Sequence, residues 1–142
     1  MGTKIAFSRD TDLTGVWSGE YWYGAAAMPT PFTAHIIETG GSFTGTTLEP
    51  ATFGSPGLTE LSADIAGSRG DLSVRFTKVY HPSQGAHRDP IFYAGIVDEK
   101  LTRIEGDWRF ASGFAGRFML VRASRGAQAA VKKQAATLEV KR

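Results

Sequence analysis

Apolar and polar residues alternate with a period of two along most of this chain, which predicts β-strands rather than helices. The stretch from Thr14 to Tyr23 puts Trp17, Gly19, Tyr21 and Tyr23 on one face and Ser18, Glu20 and Trp22 on the other. Glycine spaced among aromatics suits the inner wall of a small closed barrel, where it lets the sheet bend and leaves room for a large neighbour. Further strands are expected at about Phe32–Thr39, Ser42–Glu49, Leu58–Ala66, Leu72–Tyr80, Ile91–Val97, Leu101–Phe110 and Phe114–Arg122. The fifth alternates most cleanly: Leu72, Val74, Phe76, Lys78 and Tyr80 oppose Ser73, Arg75, Thr77 and Val79. Short turns are expected at Gly40-Gly41, Gly67-Ser68-Arg69-Gly70-Asp71, Asp98-Glu99-Lys100 and Ala111-Ser112-Gly113. Longer loops follow the first, third and fifth strands, the second of them with Phe53 at its tip.

Eight sequential strands with mostly short connections predict an all-β fold, an eight-stranded antiparallel up-and-down β-barrel, because closure removes exposed edges. After Ser124 the period changes. Ala127, Ala130, Val131, Ala135 and Leu138 recur at helical spacing, which predicts a C-terminal α-helix. The expected organisation is a flexible N-terminal arm (1–13), the barrel (14–123) and a basic helix or tail (124–142).

Composition narrows the function. At 142 residues the chain is expected to be one domain, burying roughly 68–70% of its unfolded surface without a staple. It has no cysteine, which removes disulfides, thiolate catalysis and cysteine-ligated metal centres. Up to Ser112 the charge balance is −4 and from Gly113 onward it is +6. The mildly acidic body argues against a nucleic-acid-binding face. No run approaches the ~20 apolar residues of a membrane helix, and the first ten residues lack the apolar core of a signal peptide. These features predict a cytoplasmic protein that does not insert into membranes, and they leave a homo-oligomer open.

The Gly15-Val16-Trp17 strand start, the eight-strand meander and Arg122 at the end of the last strand resemble the calycin architecture of lipocalins, fatty-acid-binding proteins and avidins. The resemblance implies that Trp17 packs under the Arg122 guanidinium and plugs one end of the barrel. Phe43-Thr44-Gly45-Thr46-Thr47 is similar to the second hairpin strand of avidins. Lipocalin disulfides and the avidin set of biotin-holding tryptophans are both missing, so neither ligand carries over.

If Trp17 faces inward, so do Tyr21, Tyr23, Thr47, Glu49, Phe76, Lys78, Tyr80, Tyr93 and Trp108. The expected ligand site consists of Tyr21, Tyr23, Tyr93 and Trp108 as walls, with Glu49, Lys78 and Tyr80 as polar anchors. Tyrosines give apolar walls with hydroxyl handles, which suits a small apolar or aromatic molecule bound in the cup without a cofactor. The competing expectation for Glu49 and Lys78 is a register shifted by one residue, which turns both charges to water. An alternative function is a cofactor-free enzyme that uses Glu49, Lys78 and Tyr80 for acid–base isomerisation or cyclisation. A third is a barrel filled by its own side chains. His35, His81 and His87 show no metal-ligand spacing, so no metal site is expected. No Gly-x-Ser-x-Gly elbow or P-loop is present.

Overall fold

The computed structural model describes residues 11–24, 28–86 and 88–123. Eight strands follow one another: β1 (Gly15–Trp22), β2 (Thr30–Thr39), β3 (Ser42–Pro50), β4 (Glu60–Gly70), β5 (Ser73–Tyr80), β6 (Ile91–Val97), β7 (Arg103–Arg109) and β8 (Ala115–Arg122). Each pairs antiparallel with its sequence neighbour, and β8 closes on β1, so the barrel has no free edge. The expected helix and most of the expected arm fall on residues outside those described.

Alternation along each strand sorts side chains inward and outward. On β2, Phe32, Ala34, Ile36 and Glu38 are buried while the residues between them are exposed. Inward glycines stand where two strands come closest. A Cβ on Gly106 would lie 2.0 Å from the Ala94 carbonyl oxygen, and one on Gly67 would lie 1.9 Å from that of Arg75. These positions bend the sheet sharply enough to close a narrow cylinder. Gly67–Gly70, expected as a turn, therefore continues β4 with the pleat unbroken. The reversal sits at Asp71-Leu72, where Asp71 takes a positive φ of 60°.

The two ends differ. At one, Trp17 is fully buried and the Arg122 guanidinium lies 4.6 Å above its ring. Arg122 also donates to the carbonyls of Leu101 (2.9 Å), Thr14 (2.6 Å) and Asp12 (2.5 Å). Leu13, expected within the polar arm, is fully buried and accepts a hydrogen bond from the Trp17 indole at 2.9 Å. Glu38 receives the Leu13 amide and the Arg69 guanidinium, each at 2.9 Å. This end is plugged by side chains and by the residues leading into β1. The strand ends joined by the longer connections, β1 to β2, β3 to β4 and β5 to β6, lie at the other end.

Between the ends the barrel is packed. Phe76 stacks on Tyr93 at 4.6 Å, and Phe118 meets both rings edge-on at 5.9 Å and 5.0 Å. The middle layer of the interior is thus aromatic and solid rather than hollow.

Candidate functional site

The inward register carries Glu49 at the end of β3 and Lys78 near the end of β5 to the same level below the longer loops. Both are buried, Glu49 at 2% and Lys78 at 0% exposure, which excludes the shifted register for either strand. The Lys78 ammonium donates to Glu49 Oε1 at 2.9 Å, and the Tyr80 hydroxyl donates to the same oxygen at 2.6 Å. The Tyr21 hydroxyl donates to Glu49 Oε2. Three of roughly four acceptor positions on the carboxylate are therefore occupied.

Lys78 has three N–H bonds and a single hydrogen-bond acceptor among the described residues. Its remaining surroundings are ring faces: Tyr80 at 4.8 Å, Tyr21 at 4.9 Å, Phe32 at 5.0 Å and Tyr93 at 5.7 Å. Burial lowers the Lys78 pKa, opposed by the Glu49 charge and its hydrogen bond. Burial raises the Tyr21 and Tyr80 hydroxyls, and the Glu49 charge adds to this. Tyr93 rises well above the usual phenol value, first through burial and then through Tyr21 and Glu49. Beneath this layer the Thr47 hydroxyl is buried with no hydrogen-bond partner among the described residues.

These shifts fix the alkaline behaviour. A phenol whose folded pKa lies above its unfolded value of 10.0 stabilises the fold fully below pH 10. Above that pH the unfolded chain ionises first, and the contribution is lost. Each of Tyr21, Tyr80 and Tyr93 removes about 1.4 kcal/mol per pH unit there. The lowered Lys78 acts oppositely, stabilising as pH rises from its folded pKa to 10.5. The expected result is a modest gain in stability below pH 10 and steep unfolding above it. Absorbance at 295 nm should rise in the same cooperative step as the loss of circular dichroism.

Of the seven residues expected to form the site, Tyr21, Tyr23, Tyr80, Tyr93 and Trp108 line one small free volume at the open end. Glu49 and Lys78 lie one layer below it, screened by the phenols of Tyr21 and Tyr80. Tyr23 is displaced from the expected wall to the rim. It follows the last residue of β1, is 44% exposed, and meets Trp108 edge-on at 5.2 Å and Phe114 at 5.3 Å. Sequence reasoning missed Phe53, Ile91 and Phe110 as lining residues. Phe53 comes from the loop after β3 and packs edge-on against Tyr80 at 5.4 Å. Its position at that loop's tip was the one available signal. The free volume is about 10 Å³, room for about one water molecule. The expected open cup is therefore closed in this conformation, with aromatic side chains from the rim and loops filling the mouth.

The histidines do not join the site. His35 is on the outer face of β2. His81 is outside the mouth, its ring 3.0 Å from the Ser62 hydroxyl and 3.3 Å from Asp64. His87 lies outside the described residues. Among the described residues no three metal-binding side chains converge, and no helix is long and apolar enough to cross a membrane.

Fold and site together define a closed eight-stranded antiparallel up-and-down barrel, plugged at one end and aromatic-rimmed at the other. No protein-family model and no curated protein matches the chain. Among solved structures it is similar to a redesigned β-barrel, with a TM-score of 0.62 at 15% identity, over 79% of this chain and 92% of that one. A likeness at that identity concerns the fold alone.

Proposed function

We propose that the open end binds a small apolar or aromatic molecule without covalent chemistry, in the manner of a calycin-like carrier working in the cytoplasm. The observation that carries this is the Glu49–Lys78–Tyr21–Tyr80 network, sealed directly beneath an aromatic mouth. Burying an ion pair is usually no better for stability than packing apolar side chains of the same volume. Its position under the mouth, where it fixes the phenols that would meet a guest, gives it a use. The rim supports the same reading: Tyr23 and Phe114 are 44% and 55% exposed and form a continuous aromatic patch with Trp108 and Phe110. A guest takes the space now held by the Phe53 and Phe110 rings, which lie at the loop end and are only partly buried.

Binding is favoured over turnover because Glu49 is screened from the mouth and already accepts three hydrogen bonds. A general base needs a free lone pair within reach of the substrate. The test is titration with prodan, a neutral aromatic ketone whose emission moves to the blue in apolar surroundings. Saturable one-to-one binding with blue-shifted emission is expected. A flat titration would leave a filled barrel without a cup.

A further inference from the structure

We propose that the mouth selects a neutral, planar aromatic molecule carrying one hydrogen-bond acceptor, and that the Tyr93 hydroxyl donates to that acceptor. This rests on the binding function proposed above and specifies its ligand class.

The tyrosines divide by what their hydroxyls already hold. Those of Tyr21 and Tyr80 are committed to Glu49. Tyr23 stands at the exposed rim. Tyr93 is 3% exposed and its ring is held by Phe76 and Phe118, yet its hydroxyl makes no hydrogen bond among the described residues. It borders the free volume of the mouth. The other polar hydrogen there, on the Trp108 indole, is taken by the Arg117 carbonyl at 3.1 Å. A phenol hydroxyl with no acceptor among the described residues is free to donate to a guest. The free volume that Tyr93 helps to line has room for about one water-sized atom, which the acceptor of a guest would fill.

Charge sets the rest of the ligand class. A cationic guest would seek the aromatic faces, but Lys78 already occupies the cage formed by Tyr21, Phe32, Tyr80 and Tyr93. A second cation beside it would be repelled. An anion finds no free counter-ion among the mouth's described residues: the Lys78 ammonium is paired with Glu49 beneath the phenols, so the anion would give up its hydration in an apolar mouth without compensation. What remains is a flat, uncharged ring system with a carbonyl or comparable acceptor, stacked among the rim aromatics.

Four bicyclic probes of one shape test this: indane, 1-indanone, protonated 2-aminoindane and indane-2-carboxylate. With the wild-type protein, calorimetry should rank 1-indanone about 3- to 10-fold tighter than indane, and both charged probes weaker than indane. Tyr93→Phe should bring the ketone to the affinity of the hydrocarbon. Because the hydroxyl makes no hydrogen bond among the described residues, this variant should keep the wild-type melting temperature. The carbonyl stretch of bound 1-indanone should move to higher frequency in Tyr93→Phe. The proposal is overturned if the variant retains the ketone's advantage, or if the ammonium probe binds tightest. Equal affinity of indane and 1-indanone for the wild type would remove this inference alone. No binding by any probe would remove the cup as well.

Discussion

Replacing Lys78 with methionine should cost about 3–5 kcal/mol of stability in urea denaturation at neutral pH. Methionine nearly matches the lysine stem in volume, so the loss is not a packing defect. It arises because Glu49, at 2% exposure, loses its counter-ion. Two phenols remain on the carboxylate, but neutral donors compensate less than an ammonium does. The double variant Glu49→Gln/Lys78→Met should recover most of the loss. It removes both charges; the amide oxygen keeps an acceptor for one of the two phenols, and the amide NH2 donates to the hydroxyl oxygen of the other. A single-variant cost below about 1 kcal/mol would mean that water reaches the pair, which disagrees with the sealed layer beneath the mouth. This double-variant cycle also separates the two roles of the network. If the pair serves the site rather than stability, the double variant folds well yet holds the phenols less rigidly and binds prodan more weakly.

The second large effect is steric. Gly106→Ala should lower stability by about 3 kcal/mol or more, or prevent folding, as judged by thermal unfolding and expression in soluble form. The added methyl would sit 2.0 Å from the Ala94 carbonyl oxygen and 2.5 Å from Gly95 Cα. Those are backbone atoms of the paired strand, so no side chain can swing away to relieve the clash. Gly106 pairs with Gly95 across β6 and β7, and the Phe118 ring fills the space inside this corner. Moving the strands apart would therefore also break the aromatic stack around Tyr93. Gly70→Ala is the contrasting case: it has open space around its Cβ position and no positive φ, and its effect should stay within about 0.5 kcal/mol.

The period-two pattern was enough to read the barrel and most of its inner face, because burial on one side of a strand leaves a direct trace in sequence. Trp17, Tyr21, Glu49, Lys78, Tyr80, Tyr93 and Trp108 all point inward as the alternation predicts. Two kinds of feature left no such trace. One is the contribution of irregular segments. Leu13 and Phe53 enter the core from outside any strand, where no periodicity marks a buried residue. Gly67–Gly70 looks like a turn because its composition is that of a turn, yet Gly67 is inward and flanked by paired backbone on both sides. The other is volume. Alternation says which side chains enter the interior but not whether they fill it. The Phe76–Tyr93 stack and the closed mouth depend on the barrel's width, which the glycine corners set in three dimensions. Hydrogen-bond assignment is likewise spatial: Tyr21 and Tyr93 are both inward tyrosines, and only the structure distinguishes the one bound to Glu49 from the one whose hydroxyl makes no hydrogen bond among the described residues.

Native mass spectrometry of the freshly purified chain, before and after adding excess 1-indanone, tests the ligand-binding cup most directly. One small neutral molecule per chain is expected, either carried through purification or taken up on addition, and released on denaturation. A bare chain mass that 1-indanone leaves unchanged would contradict it and establish the barrel as filled by its own side chains.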